Sequence, residues 1–528
     1  MLGPALFLTG LLIFWAHKHF QPTLPLPPGP PSEFLLGHTR VIPKENAAKV
    51  YSRWSKEYSE FAFQKLDNRP LTLASKDSDI IHVRSLGRST IVLHSAEVAK
   101  DILEKKGANF CDRPRFTLLE VMGWGKTLTF LPFGKSWQMH RKLLQTTFSN
   151  TNSRQFYNLQ RDEAHRTVKA IMTRPGTWET SLRRFAVAIV LQVSYGTEVS
   201  SDDDPYIRIA NDAMYATGNG GVPANSVVDL VPFIRYLPDW LVNDWSLRFA
   251  RQWRWAITKL HEVPFAAAQA ERFSANTSLA HQLLRSYEYN QSQGKNQKWS
   301  LDDIKGAAGA VFIAGADTTW ATCVIFVLNM VLHPEIQKKA QDELDAVIGP
   351  GKLPEFSDRS YLPYIEHIVQ EIYSIPHADN EYTWKDGHRW LLLHAVGIPH
   401  KSLHDDVYQG MFIPKGTVVY ANSYAIAHDE RVYKAPHDFN PDRYSAGEPY
   451  PVGNFGFGRR ICVGRFLADN SVWVMVATML STLNFCKQVA QDGRPIEPRV
   501  RFTNGGTWSG NPSPQLIDPC FYLGPTVP

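Results

Sequence analysis

The chain opens on an apolar run, Leu2 to Ala16, in which Thr9 is the one polar side chain, and His17-Lys18-His19 follow. Extended to Phe20, this run approaches the roughly 20 residues of a bilayer-spanning helix. Leu24-Pro25-Leu26-Pro27-Pro28-Gly29-Pro30-Pro31 comes next and cannot be helical, because proline fixes φ and lacks the amide donor. Ala47 to Tyr58 has helical spacing, and Ile80-Ile81-His82-Val83 and Thr90-Ile91-Val92-Leu93 read as short strands. Helical periodicity dominates from about 134 to 345, and short strands, turns and prolines return after 395. The pattern predicts a mainly α architecture with a small sheet drawn from the two ends of one large body, residues 41–528. The sequence contains no internal repeat.

The strongest single element is a long helix. Ser300-Leu301-Asp302-Asp303 has the form of a capping box, and no proline interrupts the chain before Pro334. About 32 helical residues would span roughly 48 Å, enough to cross the whole body. Inside it lies Ala314-Gly315-Ala316-Asp317-Thr318-Thr319, in which a glycine and two threonines are poor helix formers. Two readings stand side by side: close helix packing through small residues, or a functional site that tolerates weak local propensity.

Composition narrows the class. Of 528 residues 44% are hydrophobic and 20% charged, as in ordinary globular proteins. The cysteines at 111, 323, 462, 486 and 520 are unclustered and odd in number, which excludes a disulfide framework and zinc-type spacing. A net charge of +5 without a long basic run gives no support to nucleic-acid binding. The mild excess suits an acidic protein partner, for which Lys135, Arg141, Lys142, Arg459 and Arg465 are candidates beside ordinary solvated surface charge.

The N-terminal run admits a transmembrane anchor (1–20) joined by a proline-rich hinge (21–40), or a cleaved signal peptide. The lack of a basic segment before the run and of a small-x-small cleavage site favours the anchor. Basic residues after the span then place the body in the cytosol. Two sequons, at Asn276 and Asn290, would face the wrong side for glycosylation.

Phe455-Gly456-Phe457-Gly458-Arg459-Arg460-Ile461-Cys462-Val463-Gly464 carries the candidate chemistry. Glycines 456, 458 and 464 permit tight turns and close approach to a flat partner, while Arg459 and Arg460 bring positive potential that favours a thiolate. A thiolate so placed is an axial ligand for haem iron; the bland alternative is an inert buried cysteine. The spacing Phe-x-x-Gly-x-Arg-x-Cys-x-Gly resembles the cytochrome P-450 superfamily of haem-thiolate monooxygenases. That resemblance implies that Cys462 binds the iron of haem b, Phe455 covers its proximal face and Arg460 meets a propionate, with Gly464 beside the ligand.

By the same resemblance Asp317 and Thr318 are the acid and alcohol that deliver protons on the distal side, with Ala314 and Gly315 leaving room for dioxygen and substrate. Trp137 and Arg141, four apart on one helical face, would hold a propionate, and His400 in Ile398-Pro399-His400 would reach the other, a plain turn histidine being its alternative. Arg443 in Phe439-Asn440-Pro441-Asp442-Arg443-Tyr444 resembles the arginine that locks the core around the proximal loop. Substrate-facing segments would include Phe116 to Phe130, with Met122 and Trp124, and Gly218 to Leu230.

One motif departs from the family. A Glu-x-x-Arg pair on one helix is expected, but Val369-Gln370-Glu371-Ile372-Tyr373 runs into serine at 374, and Arg389-Trp390 comes 15 residues late. Removing Ser374 to His388 would restore Glu371 and Arg389 to one turn. The inserted residues are polar, lack periodicity and read as a loop, with Pro376 ending the helix near 375.

The resemblance thus implies an endoplasmic-reticulum, single-pass monooxygenase that takes electrons from an NADPH-dependent cytochrome reductase. It would insert one atom of O2 into a lipophilic small molecule of fungal secondary metabolism, terpenoid, polyketide or indole. A non-catalytic or defective haem-binding membrane protein is the rival implied by the interrupted motif. A haem-thiolate isomerase or peroxygenase is disfavoured by the Asp317-Thr318 pair.

Overall fold

A computed structural model describes residues 24–43, 47–65, 79–221, 226–271, 277–297, 299–374, 396–490, 492–496 and 520–523. The expected anchor (1–20), most of the insertion after Tyr373, and Arg389 lie outside the described residues. The fold is mainly helical with a small sheet region.

The sheet joins distant parts of the chain. Strands β1 (Ile80–Ser85) and β2 (Arg88–Leu93) form an antiparallel hairpin. After β3 (His400–Lys401) and the hairpin β4 (Asp406–Tyr408) to β5 (Met411–Ile413), strand β6 (Val418–Ala421) lies parallel to β2. The order is β1-β2-β6-β3, and a separate pair joins β7 (Leu483–Cys486) to β8 (Cys520–Leu523). Proline-rich residues from Leu24 are extended, as expected, and bond to β1 of this sheet and to β5 of the separate β4-β5 hairpin. Phe412 N donates to Pro25 O at 2.7 Å and His82 N to Pro28 O at 2.7 Å.

The long helix runs Leu301–Leu332, with the predicted capping box: Asp303 N donates to Ser300 Oγ, and Ser300 N to Asp303 Oδ2. Its two carboxylates also tie in neighbours, Asp302 to Lys126 and Asp303 to His140 Nε2 at 3.0 Å. The second contact fixes the helix Lys135–Thr147, which carries Trp137 and Arg141. Apolar residues surround the long helix on every side, so it is the axis of the main core. Among the described residues it is the helix long and apolar enough to cross a membrane, but it is mostly buried within the protein.

Its nearest partner is the helix Trp178–Tyr195. A Cβ at Gly315 would lie 2.3 Å from Val190 Cγ1, so the missing side chain lets the two helices meet. Small residues here serve helix packing as well as the cavity beside them.

The sequence expectation of strands, turns and prolines after 395 needs one correction. Arg465–Thr482 is an 18-residue helix, largely buried. Its residues are apolar on most sides, which erases the 3.6-residue period that would have marked it.

Candidate active site

The loop before this helix is shaped by its glycines. Gly456 and Gly458 have φ of 76° and 55°, and a Cβ at Gly458 would fall 1.9 Å from Leu103 O. That close approach seats the loop against the turn Asp101–Lys105. Cys462 N donates to Phe455 O at 2.8 Å, folding the loop back on itself. Cys462 lines an internal cavity, to which its side chain is open.

That cavity, about 350 Å³, lies between the Cys462 loop and the long helix. Phe455, Arg460, Cys462 and Gly464 line one wall, and Ala314, Gly315 and Thr318 line the opposite one. Trp137, Arg141 and His400 reach it from the sides. The predicted residues, drawn from positions 137 to 464, are therefore brought together, apart from Asp317 and the structural residues.

Electrostatics around the sulfur differ from the sequence reading. Burial pushes the Cys462 thiol up, and it is opposed by the amides of Gly464 and Arg465 and by the charges of Arg141 and Arg465. Arg459 and Arg460, expected to favour the thiolate, act instead on Cys111. Arg141 Nη1 donates to Ile461 O at 2.5 Å, which brings its charge beside the loop.

The donor set fits a dianionic, flat cofactor. Arg460 donates Nε to Cys111 O at 2.7 Å and Nη1 to Leu131 O at 3.0 Å, while Nη2 is buried without a partner. Its guanidinium lies 4.3 Å from the Trp137 ring centre, and burial lowers its pKa to about 10. An orphaned cationic N–H in a cavity wall is what a propionate would satisfy. His400 Nδ1 donates to Phe110 O at 2.8 Å, and burial lowers its pKa to about 3. The neutral ring therefore presents a bare Nε2, and to hold a carboxylate it must take up a proton.

On the long helix, Thr318 Oγ1 donates to Ala314 O at 2.7 Å, leaving its lone pairs for the cavity. Asp317 does not line the cavity. It is 1% exposed and faces Arg183 on the neighbouring helix, with Nη1 3.9 Å from Oδ1. Burial pushes its carboxyl up to about 7, against the pull of Arg183. Sequence reasoning missed Arg183, whose guanidinium stacks 3.5 Å over the Trp320 ring. Its signal was present: Arg183-Arg184 are charges inside the otherwise apolar run Leu182 to Leu191. Arg113 was also missed; it lines the cavity and holds Ile398 O and Pro399 O at 2.7 Å each.

Behind the loop, Glu371 at the end of the helix Pro363–Ser374 is paired with Arg443 Nε at 3.0 Å. All five N–H groups of Arg443 are used, on Glu371, Glu448 and the carbonyls of Lys434, Ala435 and Asp438. Of the expected substrate-facing segments, Trp124 and residues 127–130 line the cavity, whereas Met122 is buried outside its lining and no described residue of Gly218 to Leu230 reaches it.

The model of one family, Cytochrome P450, matches residues 27–373 and 391–506. The chain belongs to the cytochrome P450 family. P450 enzymes are haem-thiolate monooxygenases, with a cysteine as axial ligand of haem b. The break in the match, between 373 and 391, brackets the predicted insertion. Similar relatives are fungal: a cytochrome P450 monooxygenase of Armillaria gallica is 30% identical over 96% of this chain and 95% of its own. Cytochrome P450 monooxygenase 98 of Postia placenta is 34% identical, covering 93% and 89%. The tryptamine 4-monooxygenase of Psilocybe cyanescens is 31% identical, covering 93% and 92%.

Proposed function

We propose that this P450 is a membrane-anchored monooxygenase that inserts one oxygen atom of O2 into a lipophilic small molecule. Electrons would come from an NADPH-dependent cytochrome reductase. The observation that carries the reading is the cavity enclosed between Cys462 and Thr318. Bound haem would supply the oxygen-activating chemistry, and the residues determine where it acts.

Cys462 Sγ would hold the haem iron, and the amides of Gly464 and Arg465 with the charges of Arg141 and Arg465 favour its anionic form against the opposing effect of burial. Arg460, Trp137 and Arg141 would orient the cofactor through its propionates, while neutral His400 would pack beside it. Thr318 Oγ1 offers its lone pairs to the distal space, whereas Asp317 faces Arg183 on the neighbouring helix and acts on that space only through its charge. Leu128, Phe130, Ile189 and Val190 give the distal space apolar walls, which supports a lipophilic substrate. Fungal relatives, one of them acting on tryptamine, support a role in secondary metabolism, terpenoid, polyketide or indole.

Localisation at the endoplasmic-reticulum membrane with a cytosolic body is supported by the apolar run at 2–16 and by exposed aromatic surface. Trp240 is 84% exposed and Phe233 63%, with Tyr236, Leu241 and Trp245 also open to solvent. A defective haem protein is the rival favoured by the interrupted helix. The intact pairing of Glu371 with Arg443 supports the catalytic reading.

The deciding experiment is the carbon monoxide difference spectrum of the reduced protein. A thiolate-type band is expected, and Cys462→Ser should abolish it; a wild-type protein without the band sinks the reading.

A further inference from the structure

The displaced arginine leaves a specific gap. A Glu-x-x-Arg pair would put a guanidinium at position 374, one turn after Glu371, where this chain has Ser374. Glu371 is 1% exposed, so each oxygen needs a donor inside the protein. Oε1 accepts from Asn440 N at 2.9 Å and Arg443 Nε at 3.0 Å. Oε2 accepts from the Tyr444 hydroxyl at 2.6 Å. Ser374 is 8% exposed and lies beside the Tyr444 hydroxyl, whose pKa it pulls down against the effect of burial. Arg443 has no N–H to spare for Oε2.

We propose that Tyr444, oriented by Ser374, takes the place of the helix arginine in anchoring Glu371, and is thereby a positioning residue for the loop that carries Cys462. The inference rests on Cys462 being the haem ligand.

The path from the anchor to the loop is short. Tyr373, two residues after Glu371, packs its ring edge-on at 5.4 Å against Phe455. Its hydroxyl donates to Asp469 Oδ1 at 3.3 Å, on the helix that begins just after Gly464. One helix end therefore holds Arg443 and Tyr444 on one side and the Cys462 loop on the other. Without the phenol hydroxyl, Oε2 is left buried with no donor among the described residues, and Glu371 must move or take up a proton. Either response shifts Tyr373 and loosens Phe455 over the loop.

A charge difference follows as well. An arginine at 374 would bring a second cation to the Glu371, Glu448 and Arg443 cluster, whereas the phenol is a neutral donor. Burial accordingly holds the Glu371 carboxyl above the usual carboxylate range, despite Arg443.

The test uses the full chain with haem bound and a double-mutant cycle. Tyr444→Phe should speed haem transfer to apomyoglobin about tenfold, the cost of one buried carboxylate losing its donor. It should also convert part of the reduced carbon monoxide band from the thiolate to the thiol type. Ser374→Arg restores a guanidinium one turn after Glu371, so in that background Tyr444→Phe should change haem transfer less than about twofold. If Ser374→Arg does not fold, Ser374→Ala replaces it, and its effect must vanish once Tyr444 is phenylalanine.

Equal, additive effects in both backgrounds overturn the proposal. So does a Tyr444→Phe protein that loses thermal stability but keeps its thiolate band and haem retention. A wild type without the thiolate band removes the ligand assignment and this proposal together, whereas a normal wild-type band with an indifferent Tyr444→Phe removes only the anchor.

Discussion

Arg183 Nη1 stands 3.9 Å from Asp317 Oδ1, close enough for its charge to act on the carboxylate and too far for a hydrogen bond. The acid is buried, its Oδ1 has no hydrogen-bond partner, and its pKa is pushed up to about 7. The folded state thus binds more protons than the unfolded chain between the ordinary aspartate value of 3.8 and about 7. Stability contributed by this group is present at low pH and is lost as pH rises through that window. Asp317→Asn should flatten the pH dependence of the thermal midpoint from pH 5 to 8 and raise stability at the upper end. Identical slopes for wild type and variant would contradict the placement.

Proton delivery gives a second expectation. Thr318→Ala should leave haem binding and oxygen consumption nearly intact while diverting reducing equivalents to hydrogen peroxide. The change is read as product formed per NADPH, expected to fall about a hundredfold, the lower end of what a positioned proton-transfer group contributes. Unchanged coupling would count against Thr318 Oγ1 as the donor.

Packing supplies a third. Gly315→Ala places a methyl 2.3 Å from Val190 Cγ1 and should cost about 1–3 kcal/mol of stability, as overpacked cores do. Val190→Ala in the same chain should recover part of that loss. If Gly315→Ala is neutral by chemical denaturation, the helices have more freedom than their contact indicates.

The proximal loop is less forgiving. A side chain at Gly458 meets the backbone carbonyl of Leu103 at 1.9 Å and must also adopt φ of 55°. Gly458→Ala should therefore yield protein with little bound haem, measured as the ratio of Soret to protein absorbance. Full haem occupancy in that variant would show that the loop can be seated in another way.

The sequence made some of this visible and hid the rest for identifiable reasons. The long helix was legible because Ser300 and Asp303 mark its start and no proline follows until its end. The Cys462 loop was legible because glycines at fixed spacing have few other uses. Asp317 and Thr318 are adjacent in sequence, yet neighbours on a helix point about 100° apart, so only one of them can face the cavity. Helix Arg465–Thr482 escaped notice because a segment buried on most sides has no polar stripe to give the period. Tyr444 lay inside a quoted motif, but its bond to Glu371 depends on where two distant segments meet.

The parallel pairing of β2 with β6 has a consequence for biosynthesis. Leu93 is partnered by Ala421, so the hairpin of β1 and β2 leaves the ribosome long before the strand that completes its sheet. At about 5–20 residues per second the interval is on the order of 15 s to a minute. Throughout it Ile91, buried in the finished protein, stands on an open strand edge beside a nascent N-terminus that is itself apolar.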